Sequence, residues 1–143
     1  VRQKISKRLI AVLAILLVAG VTVTAFCNAR QKHLVVMLLR LETSPSSLRN
    51  VDCESWGWSD VLTTCAFEID PVEFPRLLSG WQLVEAPVKG SNYSFSSGPK
   101  VGREFTVVAE YSITDPKDFT HGGRISLVTD KSRTRWQLDY YEE

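Results

Sequence analysis

Histidine is scarce in this chain of 143 residues, which has only His33 and His121. His33 follows closely on a long apolar run, and His121 precedes two glycines. Nucleophilic catalysis needs a base beside the nucleophile. No acid, base and nucleophile can be assembled from the pattern of this chain. We therefore predict a protein that is not an enzyme and that uses no cofactor.

Basic clusters are missing beyond residue 27. Four of the 17 Lys and Arg residues lie in residues 1–27, which leaves 13 against 16 Asp and Glu in the rest. Nucleic-acid-binding domains carry a basic patch or stripe. No phosphate-binding loop is present either, because Pro99 interrupts residues 98–103 and no Gly-Lys-Ser/Thr follows. We expect no nucleic-acid partner.

Cysteine is also rare, with Cys27, Cys53 and Cys65 only. Cys53 and Cys65 are twelve positions apart, and in an oxidising compartment we expect them to pair. A loop of this length contributes roughly 3 kcal/mol in the chain-entropy treatment. The alternative is two free, buried thiols in a cytosolic domain. The paired Cys/His spacing of structural zinc is lacking, so no metal site is predicted.

The longest uncharged apolar run extends over residues 9–26, and four basic residues precede it. A helix needs about 20 apolar residues to cross the hydrocarbon core, so this run suffices. Basic residues before the run favour a cytoplasmic N-terminus, although Arg30, Lys32 and Arg40 reduce that bias. We predict that residues 1–27 are a signal anchor, a single-pass transmembrane helix. The rest would then lie in the periplasm or at the cell exterior.

Two other interpretations of this segment stay open. Val23-Thr24-Ala25 fits the small-x-Ala pattern of a cleaved signal peptide, although the apolar run is long for one. A lipoprotein signal ending at Cys27 is the second, but Phe26 stands where a lipobox has a small residue.

Beyond the anchor, residues 28–50 are predicted to be a juxtamembrane segment and linker. The short apolar run 34–41 either continues the anchor helix or is a buried strand, and its length does not decide between them. Residues 43–50 are polar and contain Pro45, which is typical of a domain boundary. Residues 51–143 then form one extracytoplasmic domain.

The pattern of this domain predicts an α+β fold. Asp70-Pro71 marks the start of a short helix over residues 71–79, with Glu73 completing a capping pattern and Gly80 suited to the C′ position. Alternating or β-branched stretches predict strands at residues 61–69, 81–84 and 105–113 and a hairpin of 124–129 with 134–141. We expect an antiparallel sheet of four or five strands with one short packed helix.

Aromatic residues supply the only candidate binding site. Trp56 and Trp58 project to the same side if the chain is extended there. Tyr93 and Phe95 lie in the segment 86–102, whose Gly-, Pro- and Ser-rich composition predicts a long loop. These four side chains are predicted to form a recognition surface beside the Cys53–Cys65 pair. The alternative is that they cover the edge of a small core.

These patterns favour a membrane-tethered extracytoplasmic binding or accessory domain that acts through protein contacts and catalyses nothing. The alternative is a small secreted or lipid-anchored protein of the inhibitor or immunity type. In that case the disulfide-tied Trp loop would block a partner.

Overall fold

The structure, a computed structural model, describes residues 7–57, 60–88 and 100–143. The chain divides between Arg30 and Gln31 into two compact units. The first long element is the helix α1, Lys7–Leu38.

The first unit consists of the apolar part of α1. Its large apolar side chains between Leu9 and Phe26 are 54–70 % exposed, and Cys27 is a free, exposed thiol. The hydroxyls of Thr22 and Thr24 donate to carbonyl oxygens one turn back, so no water is needed to satisfy them. Of the helices in the described residues, only α1, over Leu9–Leu38, is long and apolar enough to cross a membrane. The predicted N-terminal apolar helix is confirmed.

The second unit is built on one antiparallel sheet. Its strands, in chain order, are β1 Arg49–Trp56, β2 Val61–Glu68, β3 Val84–Ala86, β4 Ala109–Thr114, β5 Gly123–Thr129 and β6 Arg135–Glu142. Their order across the sheet is β1-β2-β6-β5-β4-β3, with every neighbouring pair antiparallel. The α+β fold is therefore confirmed, with six strands instead of four or five.

The predicted hairpin and helix start are found where expected. β5 and β6 pair across the turn that begins at Asp130. The Asp70 side chain accepts from the Val72 N–H at 3.2 Å and caps a 3₁₀ turn, Pro71–Glu73, that leads into α2, Phe74–Ser79.

Two details of this helix differ from the prediction. Glu73 does not reach back to Asp70, since its carboxylate accepts from the backbone N–H groups of Ser46 and Ser47 at 3.0 and 2.9 Å. The Ser47 hydroxyl also donates to this carboxylate. That bond, followed by the bonds from the backbone N–H groups, lowers the pKa of Glu73 to about 2. Gly80 is not left-handed, with φ of −66°. A Cβ there would lie 2.0 Å from the Leu39 carbonyl oxygen, so glycine permits a close approach of two chain segments.

The core lies on one side of the sheet. Trp136 of β6 is fully buried and stacks on Phe74 of α2 at 5.2 Å between ring centroids. The residues 28–50, predicted to be a juxtamembrane segment and linker, supply Val35, Leu39 and Leu48, all at most 1 % exposed. The run 34–41 thus belongs largely to the helix, and the compact unit begins at Gln31.

Candidate functional site

The sheet has two faces, because successive side chains of a strand point to opposite sides. The core face carries Cys65, Leu127, Leu138 and their neighbours, which are buried under α2 and the chain around Leu39. The other side, here the second face, is formed by the alternate residues. In register these are Leu62, Thr64, Ala66 and Glu68 of β2, Arg135, Gln137, Asp139 and Tyr141 of β6, Arg124, Ser126 and Val128 of β5, and Glu110 and Ser112 of β4.

A disulfide ties the edge strand to the sheet. Cys53 of β1 lies directly opposite Cys65 of β2, and the two form the predicted bond. The strand β1 is otherwise exposed over most of its length. The disulfide therefore fixes the position of its last residues, which end at Trp56.

Trp56 presents its indole at the end of β1. The side chain is 65 % exposed, and its Nε1–H donates to Glu54 Oε1 at 3.1 Å. Trp56 stands in register with Leu62 of β2, which stands in register with Tyr141 of β6. We call these three residues the aromatic end of the second face. Of the four predicted site residues, Trp56 is described, and Trp58, Tyr93 and Phe95 lie outside the described residues.

Acidic groups surround the aromatic end. The Tyr141 hydroxyl donates to Glu143 at 3.3 Å, and Glu54 holds the Trp56 indole. Partial burial, followed by the charges of Glu143 and Asp60, raises the pKa of Tyr141. The nearest cation in the same register, Arg124, is paired with Glu110. The aromatic end thus has an acidic rim.

A buried polar cluster occupies the middle of the second face. Asp139 Oδ1 accepts from the Thr64 hydroxyl at 2.8 Å and from Gln137 Nε2 at 3.2 Å. Thr64 is fully buried and Gln137 is 2 % exposed. Burial raises the pKa of Asp139, and these two hydrogen bonds oppose the rise only in part. The Gln137 Oε1 atom is buried and has no hydrogen-bond partner among the described residues.

Glu110 completes this cluster. It is 7 % exposed, it forms an ion pair with Arg124, and it accepts from Ser126 Oγ at 3.3 Å. One guanidinium thus faces two carboxylates, those of Glu110 and Asp139. This cluster was not predicted, although the alternation of Gln137 and Asp139 with Trp136 and Leu138 in the sequence places the two polar residues on one face.

The chain before β4 covers the remaining end of the second face. The Gly102 N–H donates to Asp52 Oδ2 of β1 at 3.2 Å, and Val101, Phe105 and Val107 are 4–8 % exposed. The segment joins β3 to β4, yet these two strands lie at the opposite edge from β1. Residues 100–108, which begin at the end of the predicted loop 86–102, therefore reach across the sheet, which the composition of this segment did not indicate.

The second face offers an exposed indole, hydroxyls, an amide and carboxylates. His121 is an exposed turn residue before β5, and His33 lies in α1. Within residues 7–57, 60–88 and 100–143, no three His, Cys, Asp or Glu side chains are grouped so that they could hold a metal ion. The exposed indole, its acidic rim and the covered second face are the features that a partner or ligand would meet.

Compared with protein families, with curated proteins and with solved structures, the chain matches none.

Proposed function

We propose that this protein is a membrane-tethered binding or accessory domain that works outside the cytoplasm through contacts with another protein. Two observations support the location. The apolar part of α1 is long enough to cross a bilayer and follows four basic residues. Cys53 and Cys65 form a disulfide, a bond that persists in oxidising compartments.

The exposed indole of Trp56 is the observation on which the proposed contact rests. Tryptophan is enriched among the residues that dominate binding energy at interfaces. Here its ring is 65 % exposed at the end of a strand that a disulfide holds in place. A side chain that is already positioned loses less conformational freedom on binding.

The acidic rim specifies the chemistry of the partner. Glu54, Asp60 and Glu143 flank the aromatic end, where Arg124 is already neutralised by Glu110. Complementary charge steers association and excludes wrong partners. The proposed partner therefore presents an apolar group flanked by Lys or Arg.

Location is tested with the full-length protein in intact cells. Cys27→Ala removes the free thiol, and Lys117→Cys adds one on an exposed turn. A maleimide that cannot cross the inner membrane should label position 117 without cell lysis. Labelling only after lysis would place the domain in the cytoplasm and contradict the proposal.

The contact is tested by photo-cross-linking in the cells that express the protein. A benzoylphenylalanine at position 56 should form adducts with one protein, whereas the same group at position 72 should not. Val72 is a suitable control because it is 79 % exposed and lies outside the aromatic end. Added to the benzoylphenylalanine at position 56, Glu54→Gln removes a rim charge and should lower the adduct yield, unlike Glu85→Gln on β3. Equal adducts at positions 56 and 72 would reject Trp56 as the contact.

A secreted or lipid-anchored inhibitor remains the second candidate, because Val23-Thr24-Ala25 precedes every core residue that the structure describes. Intact mass decides between the two. An uncleaved chain supports the tether, loss of about 25 residues indicates secretion, and a lipid mass on Cys27 indicates a lipoprotein.

A further inference from the structure

A pocket of about 320 Å³ opens at the end of the second face that lies away from Trp56. Its walls come from the ends of β2 and β6 and from the chain that crosses them. Ala66 and Phe105 supply apolar surface, and Glu68, Arg103 and Arg135 supply charge. The volume falls in the range of small-molecule sites, which are apolar with a few placed polar groups.

The charges of this pocket are unbalanced. Glu68 forms an ion pair with Arg49 at 3.3 Å between Nε and Oε2. Arg103 and Arg135 form no side-chain hydrogen bond or ion pair within the described part of the chain. Glu68 also stands opposite Arg135 in the strand register, so the lining carries two guanidinium groups and one carboxylate that is already paired with Arg49. This excess of positive charge favours an anion there.

We propose that this pocket binds a small carboxylic acid with an apolar body. Arginine offers parallel N–H donors that match the two oxygens of a carboxylate. The apolar body would lie against Phe105 and Ala66. Inorganic phosphate satisfies the same guanidinium groups but leaves this apolar surface uncovered, so it should bind more weakly. The proposal is independent of the protein contact at Trp56.

The close approach of two chain segments builds the pocket. A Cβ on Gly102, whose φ is +65°, would lie 2.5 Å from the Ala66 Cβ. Only glycine lets the crossing chain lie this near to β2 in that conformation. The pocket thus depends on a specific fit between two segments that are distant in sequence.

The test is isothermal titration calorimetry on the full-length protein in nanodiscs of a neutral lipid. 3-Phenylpropionate is the probe, and 3-phenylpropanamide is its matched neutral control. We expect the acid to bind at least tenfold more tightly than the amide, since hydrogen bonds from a guanidinium to a charged carboxylate are stronger than those to a neutral amide. Arg135→Gln and Arg103→Gln should each weaken binding by about tenfold. Lys117→Gln, which removes one positive charge at an exposed turn beyond the other end of β4, should leave it unchanged.

Three results of the ligand and control measurements would overturn the proposal, and a fourth concerns Arg103. The first is equal affinity for acid and amide, and the second is a loss of binding in Lys117→Gln as large as in the arginine variants. The third is inorganic phosphate binding as tightly as the acid, because the apolar wall would then contribute nothing. Arg103 is exposed, so its variant separates a binding defect from a folding defect if Arg135→Gln unfolds. Unchanged binding in a folded Arg103→Gln would also count against the proposal.

Discussion

The two faces of the sheet differ in what covers them and in what they carry. The core face holds Leu127, Leu138 and Trp136, all fully buried under helical segments. The second face holds carboxylates, an amide and hydroxyls, with an exposed indole at one end and, beneath an irregular chain segment, a pocket at the other. Because both faces come from the same strands, residues next to each other in the sequence have different roles. One face maintains the fold, and the other carries the indole and the pocket on which the two proposals rest.

The largest contrast is expected between two neighbours on β5. Leu127 is fully buried on the core face, and Val128 is half-buried on the second face. Leu127→Ala should reduce the free energy of unfolding by about 2–5 kcal/mol. Val128→Ala should reduce it by about 1 kcal/mol. Urea denaturation of both variants measures this, and equal losses would mean that the second face contributes as much packing as the core.

The disulfide should rank next. Replacing Cys53 and Cys65 together by alanine should lower the free energy of unfolding by about 3 kcal/mol, because the unfolded chain gains freedom. Cys27→Ala is the matched control and should change nothing, since that thiol is free and exposed. Denaturation under non-reducing conditions gives both values. A double variant as stable as the original protein would show that β1 is held by its other contacts.

Gly102→Ala should perturb the second face alone. The left-handed φ costs a non-glycine residue about 1–2 kcal/mol, and the new Cβ would meet Ala66. We therefore expect a loss of more than about 1 kcal/mol in stability and weaker binding of 3-phenylpropionate. The rate of amide hydrogen exchange should rise at position 102 and should not rise at Leu127. Wild-type affinity for the acid in a destabilised variant would contradict this view of how the pocket is built.

Asp139→Asn should stabilise the protein at neutral pH. Burial raises the pKa of Asp139, so the folded protein holds this proton more firmly than the unfolded chain does. The stability contributed by Asp139 is therefore present below its ordinary pKa and is lost as the pH rises through the raised value. Asparagine does not ionise and keeps an oxygen for the Thr64 hydroxyl. The variant should have a larger free energy of unfolding than wild type at pH 7, and this difference should disappear at about pH 3.

Trp56→Ala should have the smallest effect on stability, within about 0.5 kcal/mol, because the indole is largely exposed. Its effect should instead fall on binding. Thermal denaturation of the wild-type protein and of Trp56→Ala provides the check. A loss of more than about 2 kcal/mol would mean that the indole packs on the protein itself and is part of the fold.

Local signals in the sequence sufficed for several elements. The β5–β6 hairpin follows from strict alternation, and the Asp70 cap follows from residue type. The strand β1 was missed because Arg49, Asp52 and Glu54 break any apolar alternation at an exposed edge. β3 and β4 begin later than predicted, at Val84 and Ala109. Val107 packs instead in the segment before β4.

The candidate site was predictable only in part. Trp56 was identified from its type and its position near Cys53, both visible locally. The bond of Glu73 to Ser47 joins residues 26 apart, and Thr64 lies 75 positions from Asp139. Such pairs depend on which strands become neighbours. The alternation of residues predicts which face of the sheet a side chain lies on, but it does not predict which strand lies beside it. The crossing of residues 100–108 over the second face was hidden for the same reason.

The place of β6 in the sheet sets when the domain can fold. The hairpin β1–β2 and the meander β3–β4–β5 have no strand pairing with each other, and β6 pairs with both. Residues 135–142, the last of these six strands to be synthesised, are therefore the ones that pair with both halves. Until they arrive, each half has a bare apolar surface and no complete core. We expect the domain to acquire its structure after synthesis of β6, in a single late step and not progressively from the N-terminus.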